Sequence, residues 1–98
     1  MNKEMQLKQL RTIPGVGKSI ARDLWNIGIK EVRDLKSQDP EELYTLSNRL
    51  AGTIQDRCLL YVFRCAVYYA NTEAKKQDPK KLKWWNWKDR KHITRRRK

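Results

Sequence analysis

A chain of 98 residues is one domain's worth of protein and leaves little room for a deep substrate cleft. Its formal charge of +12 and isoelectric point near 10.1 point to a polyanionic partner, nucleic acid first and an anionic membrane surface second. The excess is uneven: residues 75–98 carry +10 and residues 1–74 only +2, so a nearly balanced body precedes a basic end.

Almost everything reads as helix, because Leu, Lys, Glu, Arg and Ala abound and no stretch alternates as a strand does. The polar, helix-patterned opening is not expected to be a signal peptide. Asn2 is placed to cap a first helix running to about Arg11, with Leu7 and Leu10 inward. The turn Pro14-Gly15-Val16-Gly17 leads into a second helix, from about Lys18 to Asn26, that buries Ile20, Ala21 and Leu24. Gly28 suits the left-handed backbone of a helix end. A short connector, Ile29 to Lys36, sets Val32 and Leu35 three apart.

Asp39-Pro40-Glu41-Glu42 is a strong helix start, with Asp as cap, Pro in the first turn and Glu42 completing a capping box. That helix carries Leu43, Leu46 and Leu50 and ends by Gly52. Thr53 and Asp56 offer a looser start for the most apolar helix, from about Ile54 to Ala70. On it Arg57, Tyr61, Arg64 and Tyr68 share one narrow polar stripe, and the rest of the circumference is core or a surplus face for a partner. Its arginines are expected to hold carboxylates such as Asp56, Asp39 or Glu42, or else to reach a phosphate.

Cys58 and Cys65 lie about 10 Å apart along that helix, too far for a disulfide, and read as small core residues in a reducing cytoplasm. The run Cys58 to Phe63 is the longest apolar stretch and is too short to span a bilayer. Asp78-Pro79-Lys80-Lys81 marks one more helix start, ahead of KLKWWNWKDR and the basic end. Trp84 and Trp87, three apart, are expected to anchor this segment on the core. Trp85, among basic residues, is open to either packing or base stacking.

The stretch Ile13 to Ala21 reads IPGVGKSIA and contains GKS, the letters that end a Walker A loop. That loop needs a glycine five places before Gly17, where Thr12 stands, and no strand precedes it. His92 is solitary, no carboxylate pair suggests acid–base work, and the cysteines lack zinc spacing, so no catalytic constellation and no enzyme are expected. A tight hairpin satisfies the same letters. Gly15 and Gly17 can take positive φ and present no side chain to an approaching group. Their amides, with those opening the next helix, can point outward together, with the helix dipole and Lys18 adding positive charge.

The pattern Leu10-x-x-Ile13-Pro14-Gly15-Val16-Gly17-x-x-x-Ala21-x-x-Leu24 resembles the helix-hairpin-helix motif, whose members bind DNA largely without sequence preference, through its backbone. The resemblance implies a contact set of Pro14, Gly15, Val16, Gly17, Lys18, Ser19, Ile20 and Arg22, and a monovalent cation, K+ or Na+, at the carbonyls of Arg11, Ile13 and Val16. The stretch NIGIKEVRDLKSQDPEEL resembles the connector of larger SAM-like domains that pair two hairpins. The second hairpin here, near Asn48 to Thr53, has only Gly52.

IPGVGKSIARDLWNIGI, DPEELY, DRCLLYVFRCAVYYA and DPKKLKWWNWKD together resemble the short bacterial pathogenicity locus family, often labelled mitomycin resistance proteins. Mitomycin cross-links DNA, and the resemblance stops before the basic end. The expectation is therefore an all-α, helix-hairpin-helix (SAM-like) protein of about five helices. Residues 1–74 form its domain, 75–90 a Trp-rich segment packed on it, and 91–98 a basic flexible tail. Its expected function is sequence-nonspecific binding of double-stranded or structured DNA in repair or maintenance. Arg95, Arg96 and Arg97 add unspecific affinity, and a double valine change at Gly15 and Gly17 is expected to weaken binding while leaving the fold intact. Two alternatives stand beside it: a protein-interaction or dimerisation module using helix 54–70, and a drug-sequestering protein using the Trp cluster.

Overall fold

A computed structural model describes residues 2–89, so the basic end, with Arg95, Arg96 and Arg97, lies outside the described residues. Among the described residues the chain is all-α: four α-helices, no strand, and four short 3-10 turns. Helix α1 (Lys3–Leu10) begins where the Asn2 side chain accepts the Met5 N–H at 2.9 Å. Helix α2 (Lys18–Asn26) ends in a turn with Gly28 at φ +97°. Helix α3 (Pro40–Ala51) begins at Asp39, whose carboxylate accepts the Glu41 N–H at 2.9 Å, with Pro40 in the first turn. Helix α4 (Arg57–Asn71) is the longest.

About five helices were expected, and the fifth is absent among the described residues. The connector winds only as the 3-10 turn Val32–Leu35, and residues 74–87 give three such turns. Short pieces of this kind need external packing to persist. The reciprocal capping box also sits elsewhere than expected. It closes the Val32–Leu35 turn, where Glu31 and Asp34 exchange backbone bonds, while at α3 the side chain that caps is Asp39.

Helix α4 starts at Arg57, three residues later than its apolar pattern suggests, because residues 52–56 are tied to α3 instead. The Gln55 N–H donates to Asn48 Oδ1 at 2.9 Å, its Nε2 to Ser47 Oγ at 2.9 Å, and Tyr44 Oη donates to the Gln55 carbonyl at 2.6 Å. The Asp56 carboxylate then caps α4 by accepting the Cys58 N–H. The same ties orient α3. Its buried face is Leu43, Tyr44 and Ser47, and Leu46, about 100° round from Ser47, turns outward. Leu46, Leu50 and Ile54 are 40%, 63% and 84% exposed, so of the three leucines on α3 only Leu43 lies in the core.

Helix α4 supplies the centre of the core. Leu59, Leu60, Val62, Phe63, Cys65 and Ala66 are buried, and α3 and the short turns cover its apolar circumference. The surplus face proposed for partner binding on helix 54–70 is thus largely occupied by the chain itself. Leu10, Ile13, Leu24 and Leu35 belong to the same buried cluster, so α1, the hairpin, α2 and the connector share one core with α4. Cys65 is buried, whereas Cys58 is exposed rather than a core residue, and both are free thiols.

Candidate nucleic-acid interface

The hairpin between α1 and α2 is held by its apolar residues. Ile13 and Val16 are 1% and 5% exposed, and the Val16 N–H donates to the Ile13 carbonyl at 3.0 Å. The Val16 side chain is therefore a core anchor, Ile20 is half-buried, and Pro14 lies partly covered on the turn. Gly15, Gly17, Lys18, Ser19 and Arg22 are exposed.

The two glycines do different work. Gly15 stands at φ +86°, and a Cβ on it would lie 2.9 Å from Trp84 Cδ1. Its missing side chain makes room for the Trp84 ring, so a valine there breaks internal packing and the expected fold-preserving double change does not hold. Gly17 has φ −95° and ψ −166°, which any residue adopts, and nothing lies within 4 Å of the Cβ it lacks. Neither backbone shape nor internal packing calls for glycine there. Gly17 caps α2 without a side chain, and its carbonyl accepts the Ala21 N–H at 2.9 Å. The N–H groups of Lys18, Ser19 and Ile20 find no acceptor among the described residues. They are the orphan donors of a helix start, opening onto bare surface.

Charge gathers beside them. A groove of about 500 Å³ between α1 and α2 is lined by Lys8, Arg11, Lys18 and Arg22, with Glu4 as its one carboxylate. None of the four cations is paired among the described residues. Lys8 and the Arg11 side chain were missed from sequence. Their spacing of three, beside Lys18 and Arg22 four apart, is the signal that one turn of each helix faces the other.

A second cluster holds the C-terminal segment. Arg57 grips Asp89 through Nε at 3.0 Å and Nη2 at 2.6 Å, and Arg64 reaches the other carboxylate oxygen at 2.9 Å. Tyr61 Oη donates to Asp89 at 3.3 Å, and Arg64 also donates to the Trp87 carbonyl at 2.8 Å. The expected partners of these arginines were Asp56, Asp39 or Glu42; the structure gives Asp89, with Glu41 at 3.4 Å from Arg64. Burial pushes the Asp89 carboxyl up, but the bonds and charges of Arg57 and Arg64 outweigh it and leave it below the ordinary value.

The clamp sets the tryptophans. Trp84 is half-buried on the hairpin and core. Trp87 packs on Tyr68 at 5.7 Å and donates Nε1–H to the Lys81 carbonyl at 2.8 Å, while Trp85 stays 49% exposed. Trp25 lies under Lys30, whose Nζ is 3.8 Å from the ring centroid. No helix among the described residues is long and apolar enough to cross a membrane. None of them form a group of three or more His, Cys, Asp or Glu that could hold a metal ion.

Residues 3–92 match the family described as Pathogenicity locus. The chain belongs to that family. A curated relative, the mitomycin resistance protein McrB of Streptomyces lavendulae, is 37% identical over 78 residues, which are 80% of this chain and 69% of the relative. The matched span of this pathogenicity locus protein takes in the hairpin, the α1–α2 groove and the Arg57–Arg64–Asp89 clamp. No solved structure matches the chain.

Proposed function

We propose that this protein binds the sugar–phosphate backbone of DNA without sequence preference, in the manner of a helix-hairpin-helix. One observation carries the reading: Gly17 is bare for no internal reason, in front of three amides without acceptors. A phosphate oxygen seated there meets the N–H groups of Lys18, Ser19 and Ile20 and the positive end of the α2 dipole. Lys18 and Arg22 neutralise that phosphate, and Lys8 and Arg11 reach its neighbours on the strand. Neutral carbonyl oxygens are of the class that holds a monovalent cation. Those of Arg11, Ile13 and Val16 would do so here, Ile13 keeping a second lone pair beside its bond from Val16. Arg95, Arg96 and Arg97 add charge that favours any strand. The McrB relative is named for mitomycin resistance, which is compatible with a DNA-linked role because mitomycin cross-links DNA.

The test is binding of a labelled duplex across salt. Contacts to about six phosphates give a slope of log K against log salt near −5. Gly17→Val places methyl groups before the amides and weakens binding about tenfold with the fold kept, and Lys18→Ala lowers the slope by about one. A folded Gly17→Val protein that binds like the parent sinks the proposal. A second reading, sequestration of mitomycin itself, has the relative's name in its favour. Quenching of Trp fluorescence by the drug, without DNA, would support it.

A further inference from the structure

Between the hairpin and the first turns of α4 lies a slot of about 350 Å³. Its walls are mostly apolar, made by Ile20, Leu59, Val62 and the Trp84 side chain, and the exposed Cys58 also lines it. Two carboxylates line it as well. Asp56 is committed, since it caps α4. Asp23 is not: it has no hydrogen bond or ion pair among the described residues, and burial is what raises its pKa. A partly buried carboxylate without a partner favours a ligand that brings N–H donors. An aromatic wall favours a flat ring.

The place of the slot narrows the ligand. It shares Gly15 and Ile20 with the hairpin that offers its amides to phosphate. It is also acidic where the neighbouring groove is basic. A phosphate is repelled from such a slot, whereas a neutral base with an amino edge is accepted.

We propose that this slot receives a nucleobase that is unpaired and turned out of the stack, its N–H edge on Asp23 and its ring beside Trp84. The proposal rests on the backbone-binding reading and gives it a substrate class, DNA carrying an unpaired base. Guanine fits best, because its ring N–H and amino group lie side by side and match the two oxygens of a carboxylate. A base held in pairing and stacking pays an unstacking cost that an already unpaired base avoids, which gives selectivity for the lesion-like site.

The experiment compares three duplexes of one sequence: fully paired, with a single bulged guanine, and with an abasic residue at the bulge. The parent is expected to bind the guanine bulge about tenfold more tightly than the abasic one. Asp23→Leu removes the acceptor, and Cys58→Trp fills the slot from an exposed position. Both should abolish that advantage while leaving binding to paired duplex, and the melting temperature, near the parent's. In the parent, alkylation of Cys58 should slow at saturating bulged guanine and not at saturating paired duplex.

Equal affinity for the two bulges, or an advantage that survives both variants, overturns the slot while paired-duplex binding still stands. Loss of binding to every duplex in the parent overturns the backbone reading and the slot together. Protection of Cys58 by free mitomycin and by no DNA assigns the slot to the drug and overturns the proposal.

Discussion

Gly15→Ala and Gly17→Ala are the same chemical change two residues apart, and the structure separates them sharply. At Gly15 the new Cβ must tolerate φ +86°, which costs a residue with a side chain about 1–2 kcal/mol. It would also stand 2.9 Å from Trp84 Cδ1, and moving that ring off the turn exposes apolar area worth about 1 kcal/mol. The total of about 2–3 kcal/mol lowers the melting temperature of a domain this size by about 10–20 °C. At Gly17 the loss of a good N-cap residue, about 0.5–1 kcal/mol, is offset by the reduced entropy of the unfolded chain, about 0.4–1 kcal/mol. That variant should melt within about 3 °C of the parent. Thermal unfolding followed by helical circular dichroism and by Trp fluorescence measures both. A neutral Gly15→Ala would refute the placement of Trp84 over the turn, and a Gly17→Ala as damaging as its neighbour would refute the open surroundings of Gly17.

Asp89→Asn removes the carboxylate between Arg57 and Arg64 and should cost about 1 kcal/mol, a modest figure because the cluster is partly exposed. Since the folded-state pKa is lowered, this stabilisation is present above about pH 4 and is lost as pH falls through the folded value. The gap in melting temperature between parent and variant should therefore close in acid. Truncation to test the basic end belongs after Asp89, because a cut after Trp87 would also remove this clamp. In the native protein a thiol reagent should modify Cys58 and spare Cys65, whose thiol burial pushes up to about 11; mass spectrometry of the alkylated sites checks it. Trp84→Ala should cost about 2–3 kcal/mol, while Trp85→Ala stays within about 0.5 kcal/mol in the same melts.

Local signals carried far along this chain. Asn2 and Asp39 cap the helices they were expected to cap, α2 runs from Lys18 to Asn26 as its pattern requires, and Gly28 takes the left-handed turn. Each of these depends on bonds within a few residues, so the order of letters suffices. The errors lie where distant residues compete. The start of α4 moved to Arg57 because Gln55 bonds to α3, and the same bonds put Ser47 inside and Leu46 outside. Cys58, in the first turn of α4, lies exposed, while Cys65 two turns on is buried.

The hairpin divides in the same way. That residues 13–17 form a glycine turn opening a helix was determined by the sequence, because Pro, two glycines and the flanking apolar residues permit little else. Which glycine serves which purpose was decided by tertiary structure alone. Trp84, drawn in by an Asp89 that no local pattern couples to Arg57 and Arg64, covers Gly15 and leaves Gly17 bare. The same packing shapes the open slot beside Asp23, since its walls come from α2, α4 and the Trp-bearing segment, and only their meeting forms it.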